Sequence, residues 1–126
     1  MKLHLTQSDG HNLITGYEDS YIEVNRQRYH NSLIVMANTL ITDLGTAAQP
    51  LTFELLSEND FANIITLKPD VVLLGTGKTH RFLHPRIHHP LTQHGISLEC
   101  MTTAAACRTY NILMSEGRDV AAMLII

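Results

Sequence analysis

Concentrated positive charge is the first thing this sequence lacks. Its nine lysines and arginines, among them Arg26, Arg28, Lys68, Lys78, Arg81, Arg86, Arg108 and Arg118, never form a run, and the formal charge is −3. A nucleic-acid binder shows a basic footprint, so nucleic acid is set aside as a partner. Long apolar runs are missing as well. The longest have the length of strands, well short of the roughly 20 residues a helix needs to cross a bilayer. The opening MKLHLTQSDGHN has no apolar stretch of the kind a secretory signal carries. A cytoplasmic location without membrane insertion is therefore expected. Cysteine is scarce: Cys100 and Cys107 are the only two. One disulfide is arithmetically open, but a strand-end cysteine beside a helical one fits two reduced, buried thiols better. What remains is a globular composition, 44% hydrophobic and 17% charged over 126 residues. That suits one domain with a core of its own.

The first third of the chain reads as β-hairpins. Leu3–Thr6, Leu13–Tyr17 and Tyr21–Val24 are short strands, separated by the turn signals Asp9-Gly10 and Asp19-Ser20. The apolar run from Ser32 to Thr42 gives one strand, or two broken near Asn38, and Gly45–Pro50 forms a loop. A helix is predicted over Glu58–Leu67, capped by Ser57 and stopped at Lys68-Pro69. Val71–Leu74 has four apolar residues in succession, the mark of a strand buried on both faces. Leu83–His94 spaces Leu83, Ile87 and Leu91 as a helix would, shortened or kinked by Pro90 and ended by Gly95. Ile96–Met101 is a strand, Thr102–Gly117 the clearest helix, and Asp119–Ile126 an apolar strand suited to a sheet interior. On the helix, Ala106, Tyr110 and Leu113 are placed inward with Cys107 and Met114, and Arg108, Asn111 and Ser115 outward. The order strand, helix, strand, helix, strand argues for βαβ units with parallel pairing. The fold class expected is α/β: a mixed central sheet in a single domain over residues 1–126, with an added antiparallel β layer from the first half.

Three constellations have residue types suited to chemistry. GTGKT, at 75–79, looks like the end of a phosphate-binding loop, but the first glycine of that motif falls on Val72, inside the strand. The two glycines serve instead to turn the chain sharply at the end of a buried strand. The histidines are unusually dense: five of the eight lie between His80 and His94, with His80, His84 and His88 four apart. An unbroken helix would align these for a metal. Pro85 and Pro90 interrupt it, and no acid stands between Asp70 and Glu99 to complete a ligand set, so no metal or other cofactor is assigned. Finally, Ser97 and Ser115 lack a nucleophile elbow, and Cys107 lies past the first helical turn on the inner side, where a thiol is inert. No catalytic residue is assigned.

The helix carries the most specific signal. LLGTG at 73–77, GISLECMTT at 95–103, AACRTYNIL at 105–113 and EGR at 116–118 together resemble the Mth-type domain family. That family of unknown function includes the mitochondrial complex I assembly factor three and the adipogenesis-associated Mth-type domain protein. The order of elements fits the family over nearly the whole chain. The resemblance implies a compact α/β fold with a mixed sheet, and an interaction or assembly role shared with relatives that help build respiratory complex I. It places Gly75, Gly77, Thr103, Arg108, Thr109, Tyr110, Asn111, Glu116 and Arg118 in the family pattern. Thr102 and Ala104 depart from it, standing where many members have an acid and a glycine. With Thr76 added, these residues are the candidates for contact with a ligand or partner. Two functions follow. One is a non-catalytic module that docks a protein partner through the hairpin layer or the segment Arg81–His94. The other is a small-molecule or anion-binding protein, or an enzyme, using a groove between the GTG turn and the helix start near Thr103, with Arg108 as the anion contact. A purely architectural role is open for Tyr110, as a core ring whose hydroxyl needs a partner, and for Asn111, as the tie of a loop. The same holds for Glu116 and Arg118, as a local ion pair.

Overall fold

A computed structural model describes residues 10–126. The strand expected over Leu3–Thr6, and Asp9 of the first turn, lie outside the described residues. Eight strands and three α-helices follow: β1 (Ile14–Glu18), β2 (Tyr21–Val24), β3 (Gln27–Tyr29), β4 (Leu33–Met36), β5 (Thr39–Ile41), α1 (Glu58–Ile65), β6 (Val71–Gly75), α2 (Pro85–Gln93), β7 (Ser97–Met101), α3 (Thr103–Ser115) and β8 (Val120–Leu124). A 3-10 turn spans Phe53–Leu55.

The central sheet has the order β5-β4-β8-β6-β7. β6 pairs in parallel with β7 and β8, as a strand-helix-strand order demands, while β4 pairs antiparallel with β5 and β8. The mixed sheet and a separate antiparallel layer are as the sequence predicts; the layer's three strands are β1-β2-β3. The run Ser32–Thr42 does break into two strands, at Ala37-Asn38. β8 is fully buried and central, the place its unbroken apolar sequence requires.

Strand alternation divides the core between the two faces of the sheet. Leu33, Val35, Val71, Leu73, Val120, Ala122 and Leu124 face α3 and the three-stranded layer, joining Ala106, Cys107, Tyr110 and Met114. Ile34, Val72, Leu74, Ala121 and Met123 face the other way, onto Phe61 and Ile64 of α1 and Leu91 of α2. Both helices on that face begin with a cap. Asp60 Oδ2 accepts the Ser57 N–H at 2.9 Å, and His84 Nδ1 accepts the Arg86 N–H at 3.1 Å. α1 stops earlier than predicted, at Ile65, because Leu67 and Lys68 turn back on Ile64 and Ile65 and Lys68 takes a φ of 54° before Pro69.

Two assignments change. β3 was not anticipated, because the turn into it uses Asn25 and Arg26, both at positive φ (49° and 69°), where a glycine would have advertised the hairpin. Asn111, placed on the outer side of α3 from sequence, is instead only 5% exposed. It shares the inner stripe with Cys107, Tyr110 and Met114, three and four residues apart.

Candidate functional site

The candidate residues go to four different places. Gly75, Thr76, Gly77 and Thr103 form one junction. A Cβ on Gly75 would lie 2.8 Å from the Thr103 Cα and 3.0 Å from its Oγ1, so strand end and helix start touch through the glycine's missing side chain. Thr103 Oγ1 accepts the Gly77 N–H at 2.8 Å and donates to the Ile125 carbonyl at 2.7 Å, while the Thr103 N–H donates to the Gly77 carbonyl at 3.0 Å. The Thr76 hydroxyl donates to the Thr79 carbonyl at 2.6 Å and accepts the Arg81 N–H at 3.1 Å, and its own N–H reaches Met101 O at 2.8 Å. Gly77, at φ 97°, makes the reversal. The main-chain N–H that a phosphate cradle would offer is thus given to Thr103. Lys78 lies on the surface, 3.3 Å from Asp19 of the β1–β2 turn.

Tyr110 and Asn111 form the second place. The Asn111 carboxamide pairs with the main chain of Ile14 as a neighbouring strand would: Oδ1 accepts the Ile14 N–H at 3.0 Å, and Nδ2 donates to the Ile14 carbonyl at 2.8 Å. The Tyr110 hydroxyl donates to the Asn12 carbonyl at 2.8 Å. Burial pushes the Tyr110 phenol well above its ordinary value. Asn12 extends the network, its Nδ2 donating to the carbonyls of Met36 and Thr39 at the β4–β5 turn and its Oδ1 accepting from Asn25. Asn12 stands just before the strand expected over Leu13–Tyr17, and a short polar residue there gives no signal of this role. Both side chains therefore tie α3 to the first hairpin, which is the architectural reading.

Arg108 is third. It is exposed, and its Nη1 donates to the Tyr17 hydroxyl at 2.6 Å. Among the described residues, Arg108, Thr76 and Thr103 share no hydrogen-bond partner.

The fourth place holds Thr109 and Arg118, on the wall of a cleft of about 370 Å³ between α3 and β7. Val71, Leu73, Met101 and Leu113 supply its apolar surface, and Asp70, Ser97 and Glu99 its polar rim. Glu116, an exposed residue at the end of α3, forms no ion pair with Arg118 among the described residues, unlike the local pair open from sequence.

Neither thiol is bonded to the other. Cys107 is buried, and desolvation pushes it up to about 12. Cys100 is only half-buried, a shade more open than expected; its thiol is raised too, first by burial. The histidines disperse. His80 and His84 precede α2, His84 caps it, and the His94 ring lies 2.9 Å from the Pro90 carbonyl. Among the described residues no three His, Cys, Asp or Glu side chains stand together as a metal site would need.

Near the start of the segment Arg81–His94 lies Phe82, 82% exposed, its ring tilted at 47° against His80 with 4.6 Å between ring centres. Its neighbours are fixed: the Arg81 guanidinium lies 4.1 Å over the Phe53 ring and bonds Glu54, and Leu83 is buried. The Arg81 hydrogen bond is the first reason the Glu54 carboxyl sits below its ordinary value.

A mixed five-stranded sheet with a three-stranded cap, closed at a glycine-threonine junction, defines a compact α/β scaffold of the Mth938-like kind. The chain belongs to the family described as a protein of unknown function, DUF498/DUF598, whose pattern matches residues 14–125. A solution structure of a Bordetella pertussis protein, described as a Mth938-like domain, is 30% identical, covers 99% of this chain and 92% of its own, and superposes with a TM-score of 0.72. The rat NADH dehydrogenase [ubiquinone] 1 alpha subcomplex assembly factor 3 is 30% identical over 86% of this chain and 60% of its own length. A Francisella tularensis protein called the 13 kDa major membrane protein is 32% identical over 49% of this chain and 50% of its own. The chain thus spans less than two-thirds of the length of either of these two relatives. Among the described residues, no helix is long and apolar enough to cross a membrane.

Proposed function

We propose that this chain is a docking module, one that works through protein contacts rather than through chemistry of its own. The observation that carries the reading is Phe82. A large ring left 82% exposed offers apolar area that a partner's surface would bury. The clamped Arg81 and the buried Leu83 hold the segment on either side, so little ordering is left to do on binding. The assembly-factor name of the rat relative supports the same class of role.

Affinity capture from the source cell tests this with wild type, Phe82→Ser and Arg108→Ala in parallel. The expected result is a protein partner retained by wild type and by Arg108→Ala and lost with Phe82→Ser. A partner set indifferent to Phe82→Ser overturns the reading. So does a metabolite held by wild type and lost with Arg108→Ala in native mass spectrometry, which would favour an anion or small-molecule site.

A further inference from the structure

The sheet ends at β7, which pairs with β6 alone among the described strands. The Met101 carbonyl accepts the Thr76 N–H, on the β6 side. Main-chain groups alternate along a strand, so those of Ser97, Glu99 and Met101 face β6 and those of Leu98 and Cys100 face outward. Side chains alternate too. Ser97, Glu99 and Met101 line the cleft beside α3, where Met101 and Leu113 are half-buried and Glu99 is exposed. Two carboxylates, Asp70 and Glu99, and one guanidinium, Arg118, line the same cleft. None of the three forms an ion pair among the described residues.

We infer that β7 and this cleft receive an extended segment of a partner protein, added as a further strand, with an apolar side chain over Met101 and Leu113 and a lysine or arginine beside Glu99. Main-chain pairing at a free edge supplies affinity, and the alternate side chains supply selection. Charge decides between occupants. Two copies of this chain joined antiparallel about the middle of β7 would set Glu99 against Glu99, and like charges directly opposite are destabilising. A cationic segment meets the carboxylates instead. This rests on the docking reading but uses a surface other than Phe82.

The probe is a displayed library of short linear peptides selected on the full chain. Peptides that alternate apolar and polar residues around a lysine or arginine are expected to be enriched. They should shift the amide resonances of Leu98, Cys100 and Thr109, and should bind Glu99→Lys about tenfold more weakly. Glu99 is exposed, so the variant should keep the wild-type circular dichroism and melting temperature. No enrichment, enrichment without a cation, shifts elsewhere, or equal affinity for Glu99→Lys each overturns the inference. A wild-type dimer in sedimentation whose β7 amides shift with concentration also overturns it, because the occupant is then a second copy. Failure of Phe82→Ser to release a cellular partner leaves these peptide results standing, so the two readings fail separately.

Discussion

The two faces of the central sheet are held in different ways. On the α3 face, apolar packing is accompanied by directed polar bonds across long stretches of chain: Asn111 to Ile14, Tyr110 to Asn12, Thr103 to Gly77 and Ile125. On the opposite face, α1 and α2 rest on the sheet through Phe61, Ile64 and Leu91, and their polar bonds are local caps. Apolar burial is non-directional, whereas a paired carboxamide has one register. The α3 face therefore fixes how the first hairpin sits, and the α1–α2 face leaves its outer segments exposed, Phe82 among them.

The largest test of this contrast is Phe61→Ala. Phe61 is fully buried, and its removal should cost about 4 kcal/mol in urea unfolding, through lost transfer energy and a cavity. Asn111→Ala should cost about 3 kcal/mol, although Asn111 is the smaller and more polar side chain, because the Ile14 N–H and C=O are left buried without partners. A cost below about 1 kcal/mol would mean that the polar clasp does not distinguish the α3 face. Gly75→Ala should cost about 2 kcal/mol, since its Cβ meets main chain that cannot swing aside. The α3 face should also be the more alkali-sensitive one. An unfolded Cys107 thiol deprotonates near 9.0, while the folded one holds its proton to about 12. Between those values the folded state binds more protons, so stability is intact below the lower value and falls as pH rises, by about 1.4 kcal/mol per pH unit for this group. The raised Tyr110 phenol acts in the same direction. Cys107→Ala should remove its share of the slope, measured by urea titration across that range. The smallest effect is expected from Phe82→Ser, within about 0.5 kcal/mol in the same assay, because the ring is already in water.

Legibility followed the same division. β6, β8 and α3 could be placed from sequence because apolar runs, alanines and Gly117 all agree with the buried positions they take. The glycine turn could be told from a phosphate loop because the motif's first glycine falls on Val72, inside the apolar run Val71–Leu74, and Val72 is indeed fully buried in β6. What escaped notice depends on partners distant in the chain. Asn111 reads as a surface residue until Ile14, 97 positions away, is seen to need its amide. Asn12 and Asn25 fall just outside the strands expected over Leu13–Tyr17 and Tyr21–Val24, yet one binds the β4–β5 turn and the other leads into β3 at positive φ. Supports and surface residues are hard to separate by sequence here because neighbours on one helix diverge: Tyr110 and Asn111 face inward, while Thr109 opens onto the cleft, joined there by Arg118 from the turn after α3.

The position of β8 has a consequence for synthesis. β4 with β5, and β6 with β7, are two ribbons hydrogen-bonded into one sheet only through β8, which follows all of them in sequence. A ribosome must release Val120–Leu124 before either ribbon gains its inner neighbour. Until then both present unpaired apolar strands, the state in which nascent chains aggregate or recruit chaperones.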